Sequence, residues 1–153
     1  MFTPESIEAA RRHVEAEVTG DLATTLATFE TEPVFELYPV GLRMTGLDAT
    51  RRYYRHFFDH VAPRFDGSRT ASHGEWLGET GLVQEYAITY RYPDGQQKQF
   101  RVIGILKFGE HGLTGERIYA DEALLRMMFA PVWDELEVIA PDANQDARTG
   151  ASR

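Results

Sequence analysis

The sequence contains no cysteine, which excludes disulfide staples, thiolate nucleophiles and cysteine-based zinc sites. It has no apolar run approaching the roughly 18 residues of a membrane-spanning helix, so no membrane partner is expected. Positive charge is scarce: 16 Lys and Arg stand against 24 Asp and Glu, a net charge of −8. That balance repels a phosphate backbone and excludes nucleic acid as a partner. The five histidines, His13, His56, His60, His73 and His111, form no His-Glu-x-x-His run or carboxylate-rich loop, and no metal is expected. His56 and His60 lie four apart on an expected helix, two ligands without a third. The start, Met1-Phe2-Thr3-Pro4-Glu5, lacks the basic, apolar, small-residue order of a signal peptide, and a cytoplasmic location is the expectation.

The chain itself is 153 residues, 42% hydrophobic and 26% charged, a composition that supports one core. A single domain over 1–140 is expected, followed by a tail over 141–153 without apolar periodicity. Thr3 caps a first helix with Pro4 at its first position, Ile7, Ala10, Val14 and Val18 form its stripe, and Gly20 stops it. Asp21 caps a second helix carrying Leu22, Leu26 and Phe29, with Pro33 at its end. Val34 to Tyr38 reads as a strand broken by Pro39-Val40-Gly41. Asp48 caps a third helix running to about Val61, and its Tyr53, Tyr54, Phe57 and Phe58 exceed one stripe. From Ser72 the period becomes two, giving four antiparallel strands that end at Arg117 to Asp121, then a helix over Glu122 to Phe129. Three helices followed by a meander define an α+β class, with the helices packed on one face of a strongly curved, mainly antiparallel sheet.

The segment Glu116-Arg117-Ile118-Tyr119-Ala120-Asp121 concentrates reactive groups. With the strand period, Arg117, Tyr119 and Asp121 share one face and Glu116, Ile118 and Ala120 the other. If the first face looks into a closed pocket, Asp121 is a desolvated acid/base beside two hydrogen-bond donors. Asp121 also stands directly before Glu122-Ala123-Leu124-Leu125, where Asp commonly caps a helix, so catalyst and cap are both open. Gly104, within a β-rich run, signals a bend, a bulge or room for a ligand.

The order helix, helix, strand, helix, meander resembles the nuclear transport factor 2-like superfamily, a cone-shaped α+β barrel. The strings Gly20-Asp21-Leu22, Phe35-Glu36-Leu37-Tyr38-Pro39-Val40-Gly41-Leu42-Arg43-Met44-Thr45-Gly46 and Glu116 to Asp121 with Leu124-Leu125-Arg126 resemble its SnoaL-like branch. The resemblance covers about residues 4 to 129. At positions where ketosteroid isomerases of this superfamily carry their base, first-helix Tyr and oxyanion Asp, this sequence has Tyr38, His13 and Gly104, which argues against steroid isomerisation. The Arg and Asp pair of limonene epoxide hydrolases is absent from Glu85-Tyr86-Ala87-Ile88-Thr89. Asp121 remains, similar to the acid/base carboxylate of SnoaL-like cyclases, with Glu122 as a competitor for that register.

The function expected is cofactor-free acid/base chemistry (cyclisation, isomerisation or hydration) on a hydrophobic, carbonyl-bearing small molecule. Asp121, Tyr119 and His13 are the expected catalytic residues. Tyr38, Tyr53, Phe57, Trp76, Tyr86, Phe100 and Arg117 are expected to bind the substrate. The alternative is a non-catalytic small-molecule-binding or dimerisation module on the same fold. By analogy with the family, a homodimer is expected in either case.

Overall fold

Thr3 and Ser6 begin the first helix by exchanging hydrogen bonds: the Ser6 N–H donates to the Thr3 hydroxyl at 3.1 Å and the Thr3 N–H donates to the Ser6 hydroxyl at 3.0 Å. The computed structural model of the chain describes residues 2–141; apart from Pro141, the expected tail lies outside them. Helix α1, Pro4–Thr19, ends at Gly20 in the left-handed conformation, φ +70°. Its buried side is Ser6, Ala9, Ala10, His13 and Ala16, not the expected Ile7-Val14-Val18 line, and Val18 is 83% exposed. Small side chains let the helix approach the sheet closely, where Ala9 and Ala10 pack with Leu82, Leu106 and Leu113.

Asp21 caps α2, Leu22–Ala27, by accepting from the Thr24 N–H at 3.0 Å. The helix stops there, short of Pro33, and strand β1 runs Phe29–Tyr38. Pro33 thus lies inside a strand, in the stretch between Phe29 and Val34 where the pairing of β1 is irregular, as a residue without an N–H requires. Strand β2, Leu42–Thr45, folds back on β1 through Gly41. Helix α3, Leu47–His56, is continued by a π-helical turn, Phe57–Val61. Its N-cap is Gly46, not the expected Asp48, and the Leu47 N–H donates to Glu32 of β1 at 2.7 Å.

The meander is β3 (Ala71–Gly78), β4 (Gly81–Arg91), β5 (Gln97–Phe108) and β6 (Leu113–Tyr119), followed by α4 (Glu122–Met128) and a short β7 (Glu137–Val138). All seven strands form one sheet in the order β3-β4-β5-β6-β1-β2-β7, with β1 parallel to β6 and the other pairs antiparallel. The α+β, mainly antiparallel architecture is therefore as the sequence predicts. No helix among the described residues is long and apolar enough to cross a membrane.

Register assigns each side chain to a face, because residues directly opposite in a sheet point the same way. One row across the concave face reads Leu82, Leu106, Glu116, Phe35, Met44. A row on the opposite face reads Trp76, Val83, Ile105, Arg117, Glu36, Arg43, Glu137. Strict alternation from the buried Leu113 would put Glu116 outside. The shift occurs at Gly115, φ +140°, beside the irregular pairing of Lys107 and Phe108, so a one-residue bulge turns Glu116 inward. A β-carbon at Gly115 would collide with the Val34 carbonyl oxygen. Gly115→Ala is expected to cost roughly 2–5 kcal/mol from strain and overpacking together; a loss below about 1 kcal/mol in urea unfolding would show that β6 does not need the kink.

Candidate functional site

The face bearing Arg117, Tyr119 and Asp121 is the outer face of the sheet, and this corrects the expectation that it lines a pocket. Asp121 caps α4, accepting from the Ala123 N–H at 2.8 Å, and pairs with Lys98 at 3.4 Å. Its side chain is 46% exposed, so of the two roles open to it the cap is the one formed. Tyr119 is 43% exposed and stacks on Tyr38 with centroids 5.0 Å apart. Arg117 donates from Nε to the Glu36 carboxylate at 2.8 Å. Burial pushes the Glu36 carboxyl up, but the Arg117 hydrogen bond and the charges of Lys107 and Arg117 outweigh it and hold Glu36 below its ordinary range. Trp76 is 53% exposed on the same outer row. Glu85, also outward, accepts from Arg101 at 2.8 Å.

His13, Tyr53, Phe57, Tyr86 and Phe100 face the interior instead. Tyr53 and Phe100 are buried, Phe57 and Tyr86 are partly buried against the same core, and Tyr53 stacks on Phe129 at 4.1 Å. Phe35 is the hub of the aromatic cluster, with ring contacts to Phe29, Tyr53, Tyr54 and Phe129. Next to Phe35 in the concave row stands Glu116, which the sequence reading placed on the opposite face from the candidate site.

Glu116 is the chemically unusual group of the interior. Burial pushes its carboxyl well above the ordinary 4.5, and the negative charge of Glu17 pushes in the same direction. Tyr53 and Tyr86 are also raised by burial, with Glu116 and Glu17 adding to the effect. None of the three side chains is hydrogen-bonded to the protein among the described residues. Among the described residues, the side-chain polar atom that is both fully occluded and unpartnered is Arg43 Nε, on the outer row. Glu116 and Tyr86 are partly buried and Tyr53 is 2% exposed, and all three keep hydrogen-bonding capacity that the protein does not use. Gly104 provides the room: a β-carbon there would lie 2.8 Å from Glu116 Oε1. The expected ligand space at Gly104 is thus filled by a carboxyl group.

A hydrogen-bonded chain flanks this space. The Thr28 hydroxyl donates to the Thr25 carbonyl at 2.6 Å and lies 2.7 Å from His13 Nδ1. His13 Nε2 is 3.0 Å from the Tyr54 hydroxyl, which donates to Glu17 Oε1 at 2.8 Å. His13 is fully buried, and Glu17 keeps 29% of its side chain exposed. Burial, then the charge of Glu17, pushes the Tyr54 phenol well above its ordinary range.

The sequence reading missed Glu116, Glu17 and Tyr54 as site residues. The signal was present: Ile118 and Ala120 are the apolar side of the segment, hence the core side, and Glu116 is the ionisable group among them. Among the described residues no cluster of three or more His, Asp or Glu side chains is placed to hold a metal ion. Three hollows elsewhere, of about 420, 520 and 450 Å³, contain none of the expected site residues.

Several solved structures share this fold. An NTF2-like protein of unknown function from Burkholderia pseudomallei superposes with a TM-score of 0.63 at 16% identity, covering 83% of this chain and 98% of that one. An LEH-like epoxide hydrolase from Mycobacterium tuberculosis superposes with a TM-score of 0.60 at 23% identity, covering 85% and 96%. An NTF2-like protein of unknown function from Cytophaga hutchinsonii gives 0.60 at 11% identity, covering 74% and 97%. At these identities the likeness shows the fold alone. No functionally curated protein matches the chain. The sequence model of the SnoaL-like domain matches residues 10–116, more than half of the chain, and with the helix order, the parallel β1–β6 pairing and the concave interior described above, the chain belongs to the SnoaL-like domain family.

Proposed function

We propose that this protein is a cofactor-free acid/base enzyme acting on a hydrophobic, carbonyl-bearing small molecule held in the cone interior, with Glu116 as the group that moves the proton. The observation that carries the reading is the inward-turned carboxyl of Glu116, which no described residue hydrogen-bonds and which stands between Leu106 and Phe35 in the concave row, with Tyr53 and Tyr86 close enough for its charge to act on their phenols. A carboxyl raised by burial is suited to give and take protons near neutral pH. Two phenols beside it supply donors for a carbonyl oxygen on which negative charge develops. Phe57, Phe100 and the Phe35 cluster supply the apolar wall that keeps water from the reacting atoms. Cyclisation, isomerisation and hydration all need this proton transfer beside a carbonyl. In this reading the catalytic role passes from Asp121 and Tyr119 to Glu116, while His13, Tyr53, Tyr86, Phe57 and Phe100 keep a place at the interior site.

We also propose that the outer face of the sheet is where a second copy binds. Trp76, Ile103 and Tyr119 are exposed there among internally paired charges, Arg117 with Glu36 and Arg101 with Glu85. An apolar surface with its charges already neutralised suits self-association. Sedimentation of the full chain is expected to give a dimer that Ile103→Glu converts to monomer. A monomeric wild type would overturn this.

The acid/base reading is tested by exchange of α-protons of apolar ring ketones into D2O, followed by NMR. The wild type is expected to accelerate exchange, and Glu116→Gln to lose about 10²–10⁴-fold of that rate; equal rates in the two proteins, or no acceleration across the panel, would sink the assignment. Gly104→Ala pushes the flexible end of Glu116 aside. It is expected to cost about 1 kcal/mol of stability but at least tenfold in exchange, about the loss of 1.4 kcal/mol of transition-state stabilisation.

Stability carries an independent signature. Because the folded-state pKa of Glu116 lies above 4.5, its contribution is fully present below about pH 4.5 and is lost as pH rises through the folded value. Glu116→Gln removes that loss. Its Tm is expected to match the wild type near pH 4.5 and exceed it increasingly toward pH 8, by on the order of 3 °C for each kcal/mol relieved. A difference independent of pH would contradict the burial of a titrating carboxyl.

A further inference from the structure

The chain Thr28, His13, Tyr54, Glu17 has a proton inventory that its geometry fixes. A threonine hydroxyl carries one hydrogen, and Thr28 uses it on the Thr25 carbonyl at 2.6 Å. At 2.7 Å from His13 Nδ1 it acts as acceptor, so Nδ1 carries a proton. Two links remain, Nε2 to the Tyr54 hydroxyl at 3.0 Å and that hydroxyl to Glu17 Oε1 at 2.8 Å. Both can be made in two ways. In one, imidazolium Nε2–H donates to Tyr54, and Tyr54 donates to the Glu17 carboxylate. In the other, protonated Glu17 donates to Tyr54, and Tyr54 donates to neutral Nε2. The two arrangements hold the same number of protons and the same net charge.

We propose that His13, Tyr54 and Glu17 form a proton relay that connects the buried imidazole of His13 to solvent. In one direction the Nε2–H bond breaks as an O–H bond forms on Tyr54, while the original Tyr54 O–H breaks as one forms on Glu17; the reverse shift restores the first arrangement. No net charge is created in the low-dielectric interior, which makes the transfer cheap where moving a bare proton would be costly. The ends differ in access. His13 is fully buried, while Glu17 is 29% exposed on the last turn of α1 and exchanges with water. The groups facing this chain are Glu17 from α1, Tyr53 and Tyr54 from α3, Tyr86 from β4 and Glu116 from β6; the charges of Glu17 and Glu116 each act on the tyrosines. The relay stands apart from the reading of Glu116, because among the described residues no hydrogen bond joins His13, Tyr54 or Glu17 to Glu116. His13, Tyr54 and Glu17 are positioning residues in this account, distinct from the group that touches substrate.

The test is ring-nitrogen NMR of His13 in the full-length protein, which needs no substrate. Wild type is expected to show a protonated Nδ1 and an Nε2 signal between the protonated and imine limits, averaged by exchange. Tyr54→Phe keeps the ring that packs on Phe35 and Phe58 but removes the shuttle, and Nε2 is expected to move to one limit. Glu17→Gln, at a partly exposed position, is expected to do the same and serves if the phenylalanine variant does not fold. An imine-type Nδ1, or an Nε2 signal that neither substitution moves, overturns the relay. If the relay signature is intact and Glu116→Gln exchanges like wild type, the assignment of Glu116 falls and the relay stands.

Discussion

Everything about the interior follows from one constraint, the burial of an ionisable carboxyl in the apolar row Leu82, Leu106, Glu116, Phe35, Met44. Burying a charge without a partner is costly enough that the group takes up a proton instead. Three features of the fold are arranged around that carboxyl. Gly115 turns it inward, Gly104 leaves space for its oxygens, and α1 lies close enough for Glu17 to act on it. Each sits in a different element, β6, β5 and α1.

The aromatic cluster has two functions. Contacts of Phe35 with Phe29, Tyr53, Tyr54 and Phe129 contribute about 0.5–1.5 kcal/mol per ring pair beyond the area they bury. They also fix the phenol hydroxyls. Tyr53 is pinned by its stack on Phe129 and Tyr54 by its stack on Phe58, so the oxygen of each is set by rings that do no chemistry. Polar function at the tips of tyrosines is compatible with a dry wall because the rest of each side chain is the wall.

Much of the fold was legible in the sequence. Thr3, Gly20 and Asp21 mark helix ends by local chemistry that tertiary contacts have no reason to override. The change to a period of two at Ser72 announces the antiparallel meander. Strand β1 was cut short because Pro33 reads as a stop, although a proline is tolerated where a strand's pairing is irregular. The inner line of α1 was misread because size was taken as the sign of burial, and here alanines and a histidine are buried so that the helix can lie low on the sheet. For the site, the alternation of Glu116 to Asp121 was right and the choice of face was not. Reactive side chains drew the choice, whereas Ile118 and Ala120 identify the core side. His13 was the one expected catalytic residue that the fold turned inward. Of its partners, Glu17 lies four residues on along α1, a spacing that puts the two on one helix face, whereas Thr28 and Tyr54 could not be read from spacing because they come from the end of α2 and from α3.

The parallel pairing of β1 with β6 has a consequence in time. It joins residues far apart along the chain, as the link between Glu36 and Arg117 over 81 positions shows. Local hairpins such as β4–β5 can zip early, but this closure needs most of the chain to be present and its loop entropy to be overcome first. Until β6 docks beside β1, Glu116 is an ordinary hydrated carboxylate on an unfinished edge. Its unusual chemistry comes into being with that long-range contact, so a chain that has folded all its local elements but not that one has the composition of the site and none of its acidity.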